Sequence, residues 1–203
     1  MAAGQDTKAR VLDAAEKNFA ALGFAGASMK AIARDAEVAQ GLLHYHFHTK
    51  VELYQGVIAR RSAAINEARF ARLEQVDMQA PDAVEKVFEA FLAPPFDTGG
   101  VDTGYPQMLA RLVVGDDLDQ QLVRDNYDAC AEKFIDALTQ LLPDIERYQI
   151  AHSYTTAIGA MISAFSNTKR AESLANLPNE QHETSDETVQ RLVRFCAAGT
   201  RAF

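Results

Sequence analysis

The stretch that decides the fold, Ser28–Lys50, reads SMKAIARDAEVAQGLLHYHFHTK. Ser28 is a favourable N-cap for a short helix, MKAIARDA, in which Ile32 and Ala33 face inward. The residues EVA then form a brief turn, and a second short helix, QGLLHYH, starts at Gln40. Two short helices joined by a turn of three or four residues are typical of a helix-turn-helix, so this stretch predicts a small DNA-binding unit.

A third helix, upstream of this stretch, completes the predicted unit. Apolar residues recur at helical spacing over Asp6–Leu22, and Gly23 ends the run. Because a short helix can enter the major groove only when other helices support it, the three helices need an apolar core of their own. We expect that core to contain Phe19, Leu22, Phe24, Ile32, Val38, Leu43 and Phe47.

The rest of the chain also carries helical periodicity. Thr49 can cap a long helix that starts at Lys50, with Glu52 completing a capping box. The pattern lapses in the Pro- and Gly-rich stretch PPFDTGGVDTG and in the polar residues 169–185. No run of alternating β-branched residues is found. The predicted fold is all-α with about nine helices, over residues 6–22, 28–36, 40–46, 50–76, 81–93, 105–114, 118–142, 145–167 and 186–202.

Charge and composition restrict the class of protein. The formal net charge of the 203 residues is −8, yet residues 1–50 alone carry +1. This asymmetry suits a small DNA-facing head on an acidic body. No apolar run approaches the roughly 18 residues of a membrane span, and the charged N-terminus lacks the apolar core of a signal peptide. We therefore expect a cytoplasmic protein with no membrane partner, whose two cysteines, Cys130 and Cys196, are reduced and buried.

Residues 7–58 resemble the head of the TetR-type transcriptional repressors. The resemblance rests on an ordered combination: an AAxxxF helix, then GF, a Ser before an IA helix, and LxYHFxxK. Residues 105–143 resemble, more loosely, the bodies of many such regulators. The resemblance implies a DNA-binding domain over residues 1–50 and a ligand-binding and dimerisation domain over residues 51–203. It further implies a homodimer that binds a palindromic operator in double-stranded DNA and is released by a small-molecule effector.

The resemblance also implies ten residues that contact DNA. Gln40, Gly41 and Leu42 would open the recognition helix and face the bases, and His44 and Tyr45 would lie along that helix at the phosphates and the groove edge. Five residues of the surrounding helices would hold phosphates: Lys8, Ser28, Lys30, Thr49 and Lys50.

The chain departs from the family pattern within the helix-turn-helix. Glu37 stands where the turn usually has Gly, and a non-Gly residue with positive φ costs about 1 kcal/mol. Ala39 replaces the common Ser or Thr cap of the recognition helix, and His44 stands where Tyr is usual. These departures bear on the operator sequence and on affinity.

The predicted body contains more apolar residues than one packed layer requires, which favours a cavity for a hydrophobic or aromatic effector. Ordinary core is the alternative for each of these residues. The candidates for the lining are Phe88, Phe91, Leu92, Met108, Leu112, Tyr127, Phe134, Tyr154, Ile158 and Met161, and the candidates for polar anchors are Arg111, Asn126, Tyr127, His152 and Tyr154.

Two of the predicted helices are candidates for the dimer interface. Helix 145–167 carries small residues that permit close helix approach: Ala157, Gly159, Ala160 and Ala164. Helix 186–202 carries an apolar stripe: Val189, Leu192, Val193, Cys196 and Ala197. The resemblance implies that both helices pair with their copies in a four-helix bundle; the alternative is that they cover the ligand pocket.

Two other classes of function have weaker support in the sequence. His44 and His48 have the spacing of two zinc ligands on one helical face, but no third ligand is close in sequence. Asp116 and Asp117 could form a metal-binding carboxylate pair in an enzyme, but they follow Gly115 at a helix start, where acids complement the helix dipole. No Ser/His/Asp spacing, phosphate loop or HExxH is present. We therefore expect neither enzymatic activity nor a cofactor.

Overall fold

The apolar periodicity of the sequence is realised as helices throughout the described chain. The computed structural model describes residues 2–97, 105–165, 170–176 and 183–203, and these residues contain helices and no strand. The all-α prediction is confirmed. The helices are α1 (Ala2–Gly26), α2 (Met29–Asp35), α3 (Gln40–His46), α4 (Lys50–Leu73), α5 (Ala83–Leu92), α6 (Pro94–Asp97), α7 (Tyr105–Val113), α8 (Asp117–Leu141), α9 (Arg147–Phe165), α10 (Arg170–Leu174) and α11 (Ser185–Arg201).

Two of these helices were not predicted. α6 occupies the start of the stretch expected as a loop, and residues 98–104 of that stretch lie outside the described residues. α10 interrupts the polar residues 169–185, of which residues 169 and 177–182 are likewise outside the description. Both are too short, at 4 and 5 residues, to show a helical period in the sequence.

Close contacts divide the chain into two compact units. The first comprises Met1–Ala64 and Val101–Asn126, and the second comprises Ile65–Gly100 and Tyr127–Phe203. α4 and α8 contribute residues to both. The domain boundary expected at residue 50 stays a prediction.

The core of the first unit joins α1, α2 and α3 around buried apolar side chains. Phe19, Ile32, Leu43 and Phe47 are buried as predicted, whereas Phe24 and Val38 are half-buried. The expectation for Leu22 is wrong, because its side chain is 57% exposed. Leu22 lies next to Gly26, which has no side chain to cover it, and just before Gly23, whose φ of 70° interrupts the helix.

A buried carboxylate links α1 to α4 within the first unit. Glu16 is only 2% exposed and accepts hydrogen bonds from Arg61 at 2.7 Å and from Arg60 at 3.2 Å. Its hydrogen bonds raise the pKa of Arg61. Buried ions are tolerated when paired and hydrogen-bonded in this way, so this cluster fixes the position of α1 on α4.

The first unit also contains α7 and the start of α8. Arg111 of α7 donates to the carbonyl oxygens of Phe19 and Ala20 at 3.2 and 2.8 Å. Asp116 accepts from the backbone N–H groups of Leu118 and Asp119 at 3.1 and 3.3 Å. Asp116 therefore caps α8, in agreement with the helix-start interpretation of the acidic pair.

The second unit is built around α5, which packs against α11, and α11 in turn packs against α9. The apolar stripe of α11 (Val189, Leu192, Val193, Cys196 and Ala197) is buried within the single chain. Because α5 and α9 cover it, this stripe is not the surface that a second copy would contact, and the assignment of α9 and α11 to a dimer interface stays a prediction. Cys130 and Cys196 are free and buried, as expected, and burial raises the pKa of the Cys196 thiol to about 11.

Candidate nucleic-acid interface

The helix-turn-helix begins with a capped helix, as the sequence predicts. Ser28 has an extended backbone, and its hydroxyl oxygen accepts from the backbone N–H of Ala31 at 3.2 Å. Ile32 and Ala33 are buried at 0% and 3% exposure. α2 therefore turns its apolar side toward α1 and α3, and leaves the Ser28 end accessible to solvent.

The turn between α2 and α3 is closed by backbone hydrogen bonds. The N–H groups of Glu37 and Val38 donate to the carbonyl oxygens of Arg34 and Ala33, each at 3.0 Å. Glu37 adopts a φ of 54°, so a left-handed residue is required here, as the usual Gly implies. The side chain of Glu37 is exposed, so its carboxylate adds negative charge beside α3.

α3 presents one buried face and one exposed face. Leu43 is fully buried, and Phe47, directly after the helix, is 4% exposed. On the opposite face, Leu42 is 40% exposed and Tyr45 is 73% exposed. Gly41 borders open space, since a Cβ built there meets no atom within 4 Å. The structure thus brings the five predicted α3 contacts onto one solvent-exposed surface: Gln40, Gly41, Leu42, His44 and Tyr45.

The start of α4 lies close to α3 in sequence and supplies a helix N-terminus. The Thr49 hydroxyl oxygen accepts from the N–H of Glu52 at 3.0 Å, which leaves its own proton free to donate. The expected capping box is incomplete, because the Glu52 carboxylate accepts from the N–H of His48 rather than from Thr49. Ala39, by contrast, gives α3 no side-chain cap.

Lys50 has a contact that the sequence did not reveal. Its Nζ donates to the carbonyl oxygens of Phe24, Ala25 and Ala27 at 2.8, 3.3 and 3.1 Å, and lies 4.6 Å from the centre of the Phe24 ring. These carbonyl oxygens lie at the C-terminal end of α1, where the helix itself provides no backbone N–H groups to bind them. The ammonium is therefore engaged in a structural role, and its phosphate contact stays a prediction.

The remaining predicted phosphate contacts are exposed cations and hydroxyls. Lys8 and Lys30 are exposed, and the Nζ of Lys8 lies 5.7 Å from the centre of the Phe47 ring. Neither lysine forms an ion pair with a described residue, whereas Arg34 is bound to Asp35 at 2.8 Å. Hydrogen bonds from Asn18 and Arg34 lower the pKa of Asp35. Lys8 and Lys30 are thus the cations best placed to meet an anionic partner.

The predicted effector contacts belong to different units. Phe88, Phe91, Tyr127, Tyr154 and Ile158 belong to the second unit, whereas Met108, Arg111 and Leu112 belong to the first. In the second unit, the Phe91 ring lies 4.5 Å from the Tyr154 ring and 5.4 Å from the Phe134 ring, centre to centre. These rings form an aromatic cluster. Because Arg111 is bound to α1 carbonyls, its role as an effector anchor stays a prediction.

A surface cavity of about 380 Å³ lies elsewhere in the second unit. Its lining contains none of the predicted effector contacts: Arg72, Gln75, Val76, Asp77, Ala80, Asp82, Lys86, Glu89 and Ala90. Several of these charges are already paired, since Arg72 binds Asp97 and Lys86 binds Glu89.

Sequence reasoning missed Arg69, a buried cation in the aromatic cluster. Its guanidinium carbon lies 4.2 Å from the centre of the Phe91 ring, and the residue is 3% exposed. A signal was available, because Arg69 falls four residues after Ile65 on the inward stripe of α4.

Two other features, a metal-binding cluster and a membrane-spanning helix, are not found in the described parts of the chain. No group of three or more His, Cys, Asp or Glu residues there could hold a metal ion. No helix there is long and apolar enough to cross a membrane.

A supported recognition helix with an exposed face defines this chain as a helix-turn-helix DNA-binding regulator, and comparisons with known proteins agree. Residues 11–57 match the family described as bacterial regulatory proteins, tetR family, and residues 89–199 match the tetracyclin repressor-like C-terminal domain. The chain belongs to the TetR family of transcriptional regulators. Its relatives are regulators and not enzymes.

Individual relatives support this assignment. The chain is 25% identical to the HTH-type transcriptional regulator SrpR of Pseudomonas putida over 142 residues, which cover 70% of this chain but only 62% of SrpR. It is 25% identical to the uncharacterized HTH-type transcriptional regulator TtgW of Pseudomonas putida over 135 residues, 66% of this chain and 92% of TtgW. The crystal structure of the TetR-family regulator PfmR from Thermus thermophilus shares the fold, with a TM-score of 0.66, 14% identity and coverage of 93% and 97% of the two chains.

Proposed function

We propose that this regulator is a homodimeric repressor that binds a palindromic operator through α3 and is released by a small hydrophobic or aromatic effector. The observation that carries the proposal is the exposed face of α3, backed by buried Leu43 and Phe47. Leu42 and Tyr45 give this face exposed apolar surface that a partner can cover. A DNA major groove fits this short helix in size and shape.

The chemistry of the exposed face suits a duplex. Gln40 can hydrogen-bond the edge of an adenine, and Leu42 can contact a thymine methyl group. His44 and Tyr45 can reach phosphates, together with Lys8, Lys30 and the Thr49 hydroxyl. Since the whole chain carries a charge of −8, the attraction to DNA must come from this local set of donors.

A dimer is supported by the outward faces of α9 and α11. Phe195 of α11 is 64% exposed, and Gly199, one turn later, borders open space. On α9, Gly159 likewise has no atom within 4 Å of a built Cβ. The two glycines permit close approach of a second copy, and Phe195 supplies apolar surface for it to cover, as a twofold interface requires. Two heads must then lie about 34–36 Å apart to reach successive major grooves.

Release by an effector requires two states that bind it differently. α4 contributes residues to both compact units and begins at Lys50, directly after Thr49 and next to the recognition helix in sequence. A small tilt at this end of α4 would move α3 on the DNA. A coupling of about 1–3 kcal/mol would weaken operator binding about 5- to 150-fold.

The test is binding of the protein to the DNA upstream of its own gene, measured by fluorescence anisotropy. We expect affinity in the nanomolar range that falls steeply between about 50 and 200 mM salt. Leu42→Ala and Tyr45→Ala should each weaken binding by about 1–3 kcal/mol, whereas Leu174→Ala, at a residue 67% exposed on α10, should not. Equal affinity for all variants would rule out α3 as the helix that contacts the operator DNA.

The direction of regulation and the cellular location are part of the same proposal. A repressor that acts on bacterial chromosomal DNA works in the cytoplasm. Deletion of the gene should raise the activity of a reporter driven by the upstream DNA; a fall would identify an activator instead.

A further inference from the structure

Arg69 is a buried cation without a carboxylate partner. It is 3% exposed, and an arginine side chain stays protonated in proteins. Burial of an unpaired ion costs several kcal/mol, so buried charges are normally paired. None of the ion pairs among the described residues includes Arg69. No described carboxylate therefore supplies a counter-charge at ion-pair distance from Arg69.

Part of the Arg69 side chain has a structural role. Its Nε donates to the carbonyl oxygen of Phe91 at 2.9 Å, in the last turn of α5, and its Nη1 donates to Asn66 Oδ1 at 3.4 Å. A guanidinium presents five N–H donors in a planar fork. Donors therefore remain on Arg69 for another molecule.

The thiol of Cys130 also lies near Arg69, but it does not supply the counter-charge. Burial, the largest effect, raises the pKa of Cys130, and the charge of Arg69 and a side-chain hydrogen bond with it offset only part of that rise. The thiol is therefore neutral near pH 7. Neutral partners satisfy donors of Arg69 but leave its charge uncompensated.

Tyr154 is a second buried residue with a polar group in this cluster, and it is near enough to Arg69 for the charge of Arg69 to offset part of the rise in its pKa. Tyr154 is 4% exposed and packs on the same Phe91 ring as Arg69. No hydrogen bond joins its hydroxyl to another described residue. Burial raises the pKa of Tyr154, so the hydroxyl stays protonated and can donate a hydrogen bond.

The Tyr154 hydroxyl borders accessible space. In the described parts of the chain, no fully enclosed polar side-chain atom lacks a hydrogen-bond partner. Because the Tyr154 hydroxyl has no such partner there, it must face space that a water-sized molecule can reach. The Tyr154 ring packs on the Phe91 ring, which Phe134 and Arg69 also contact.

We propose that the guanidinium of Arg69 and the Tyr154 hydroxyl form the polar end of the effector site, and that the effector is a hydrophobic organic anion. The proposal rests on the proposed function and assigns a chemical class to its effector. The acid group accepts hydrogen bonds from both donors and supplies the missing counter-charge, while the apolar part contacts the aromatic cluster. Arginine forms charge-assisted hydrogen bonds with the oxygens of acid groups, which favours an acid over a neutral polar group.

Two fluorescent dyes with one skeleton test this proposal. 1-Anilinonaphthalene-8-sulfonate is anionic, and N-phenyl-1-naphthylamine is its neutral counterpart. We expect the wild-type protein to bind the anionic dye more tightly in a fluorescence titration. Arg69→Met should weaken binding of the anionic dye at least about tenfold, as expected for a lost charge-assisted hydrogen bond, and leave the neutral dye nearly unchanged.

Three further variants separate a site from a structural role. Arg69→Lys should restore part of the preference for the anionic dye, and Tyr154→Phe should lower it several-fold without loss of helicity by circular dichroism. Arg147→Met, at an arginine whose side chain is 54% exposed and bound to Asp136, should change neither dye. If Arg69→Met does not fold, Tyr154→Phe and Arg69→Lys carry the test.

Equal affinity of the wild-type protein for both dyes, or an anionic affinity that Arg69 and Tyr154 do not affect, would overturn the proposal. Operator binding measured on the same samples separates the two hypotheses. A protein that binds DNA but shows no Arg69-dependent dye preference remains a regulator without this anion site. A protein with the dye preference but no DNA binding has the site, and the proposed function fails.

Discussion

At the scale of the residue, Glu37 combines two unfavourable features at the helix-turn-helix. Its φ of 54° lies in the left-handed region, where any residue with a Cβ is strained. Its exposed carboxylate also stands beside the surface proposed to meet phosphates. The two effects are separable, because glycine removes both and alanine removes only the charge.

We expect Glu37→Gly to raise the free energy of unfolding by about 0.5–1 kcal/mol, because relief of strain exceeds the added flexibility of the unfolded chain. Glu37→Ala should leave the strain in place, and both variants should tighten DNA binding. Thermal unfolding and anisotropy titrations measure the two effects. Asn176→Gly is the matched control, since Asn176 has a φ of 53° but asparagine tolerates it. A gain in stability for Glu37→Ala would contradict the strain argument.

Glu16 is a second residue whose effect can be predicted from its surroundings. Glu16→Ala removes a buried acceptor from Arg60 and Arg61, both of which can turn partly to water. We expect a loss of about 2 kcal/mol, or about 4–8 °C in Tm at fixed protein concentration. Asp6→Ala breaks the exposed pair with Arg10 and should leave Tm unchanged. Similar losses for both variants would show that the burial of Glu16 is unimportant.

The sequence predicted which α3 residues are exposed, but it did not predict the hydrogen-bond partners of the lysine and arginine side chains on α4 and α7. Leu43 and Phe47 follow from the helical period, and their burial leaves Leu42 and Tyr45 outside. Three long cations each bind backbone carbonyls 22 to 92 residues away in sequence: Lys50, Arg69 and Arg111. Such contacts depend on tertiary packing, which no local pattern encodes.

At the scale of the element, the start of α4 is tied to the end of α1. Lys50 donates hydrogen bonds to three carbonyl oxygens there, so the residue expected to bind a phosphate also holds two helices together. Lys30 is the contrasting case, because it is exposed and forms no ion pair within the described chain. Substitution of Lys50 should therefore lower stability, whereas substitution of Lys30 should affect DNA binding.

We expect Lys50→Met to lower the free energy of unfolding by about 1–2 kcal/mol, since charge-assisted hydrogen bonds to helix-end carbonyls are lost. Lys30→Met should leave Tm unchanged and reduce the salt slope of DNA binding by about 2, as for one lost phosphate contact in each subunit of the dimer. Thermal unfolding and a salt titration of affinity measure both. A Lys50→Met protein with unchanged Tm and a reduced salt slope would show that its phosphate contact dominates.

The helices themselves were predictable where an apolar period extends over several turns. α4, α5 and α8 begin within two residues of the predicted positions. The single-turn helices α6 and α10 have no such period. For α11 the period correctly predicted a buried stripe but did not reveal that α5 and α9 of the same chain cover it, because a period shows that a face is buried and not which surface covers it.

At the scale of the whole molecule, the proposed function requires two copies. With the apolar stripe of α11 covered by α5 and α9, the face left for a partner carries Phe195 and Gly199. An operator with two half-sites binds a dimer far more tightly than a single head, because the second contact becomes intramolecular. Oligomeric state and operator affinity should therefore change together.

Phe195→Glu tests this coupling. A charge on the outward face should prevent association without disturbing the core, because Phe195 is 64% exposed. We expect monomers by sedimentation velocity, unchanged helicity by circular dichroism, and affinity for the full palindrome reduced by about 10²-fold or more. Leu174→Glu, at a comparable 67% exposure on α10, should remain a dimer with normal affinity. A Phe195→Glu protein that stays dimeric would place the interface on another face, and one that is monomeric with normal affinity would separate DNA binding from dimerisation.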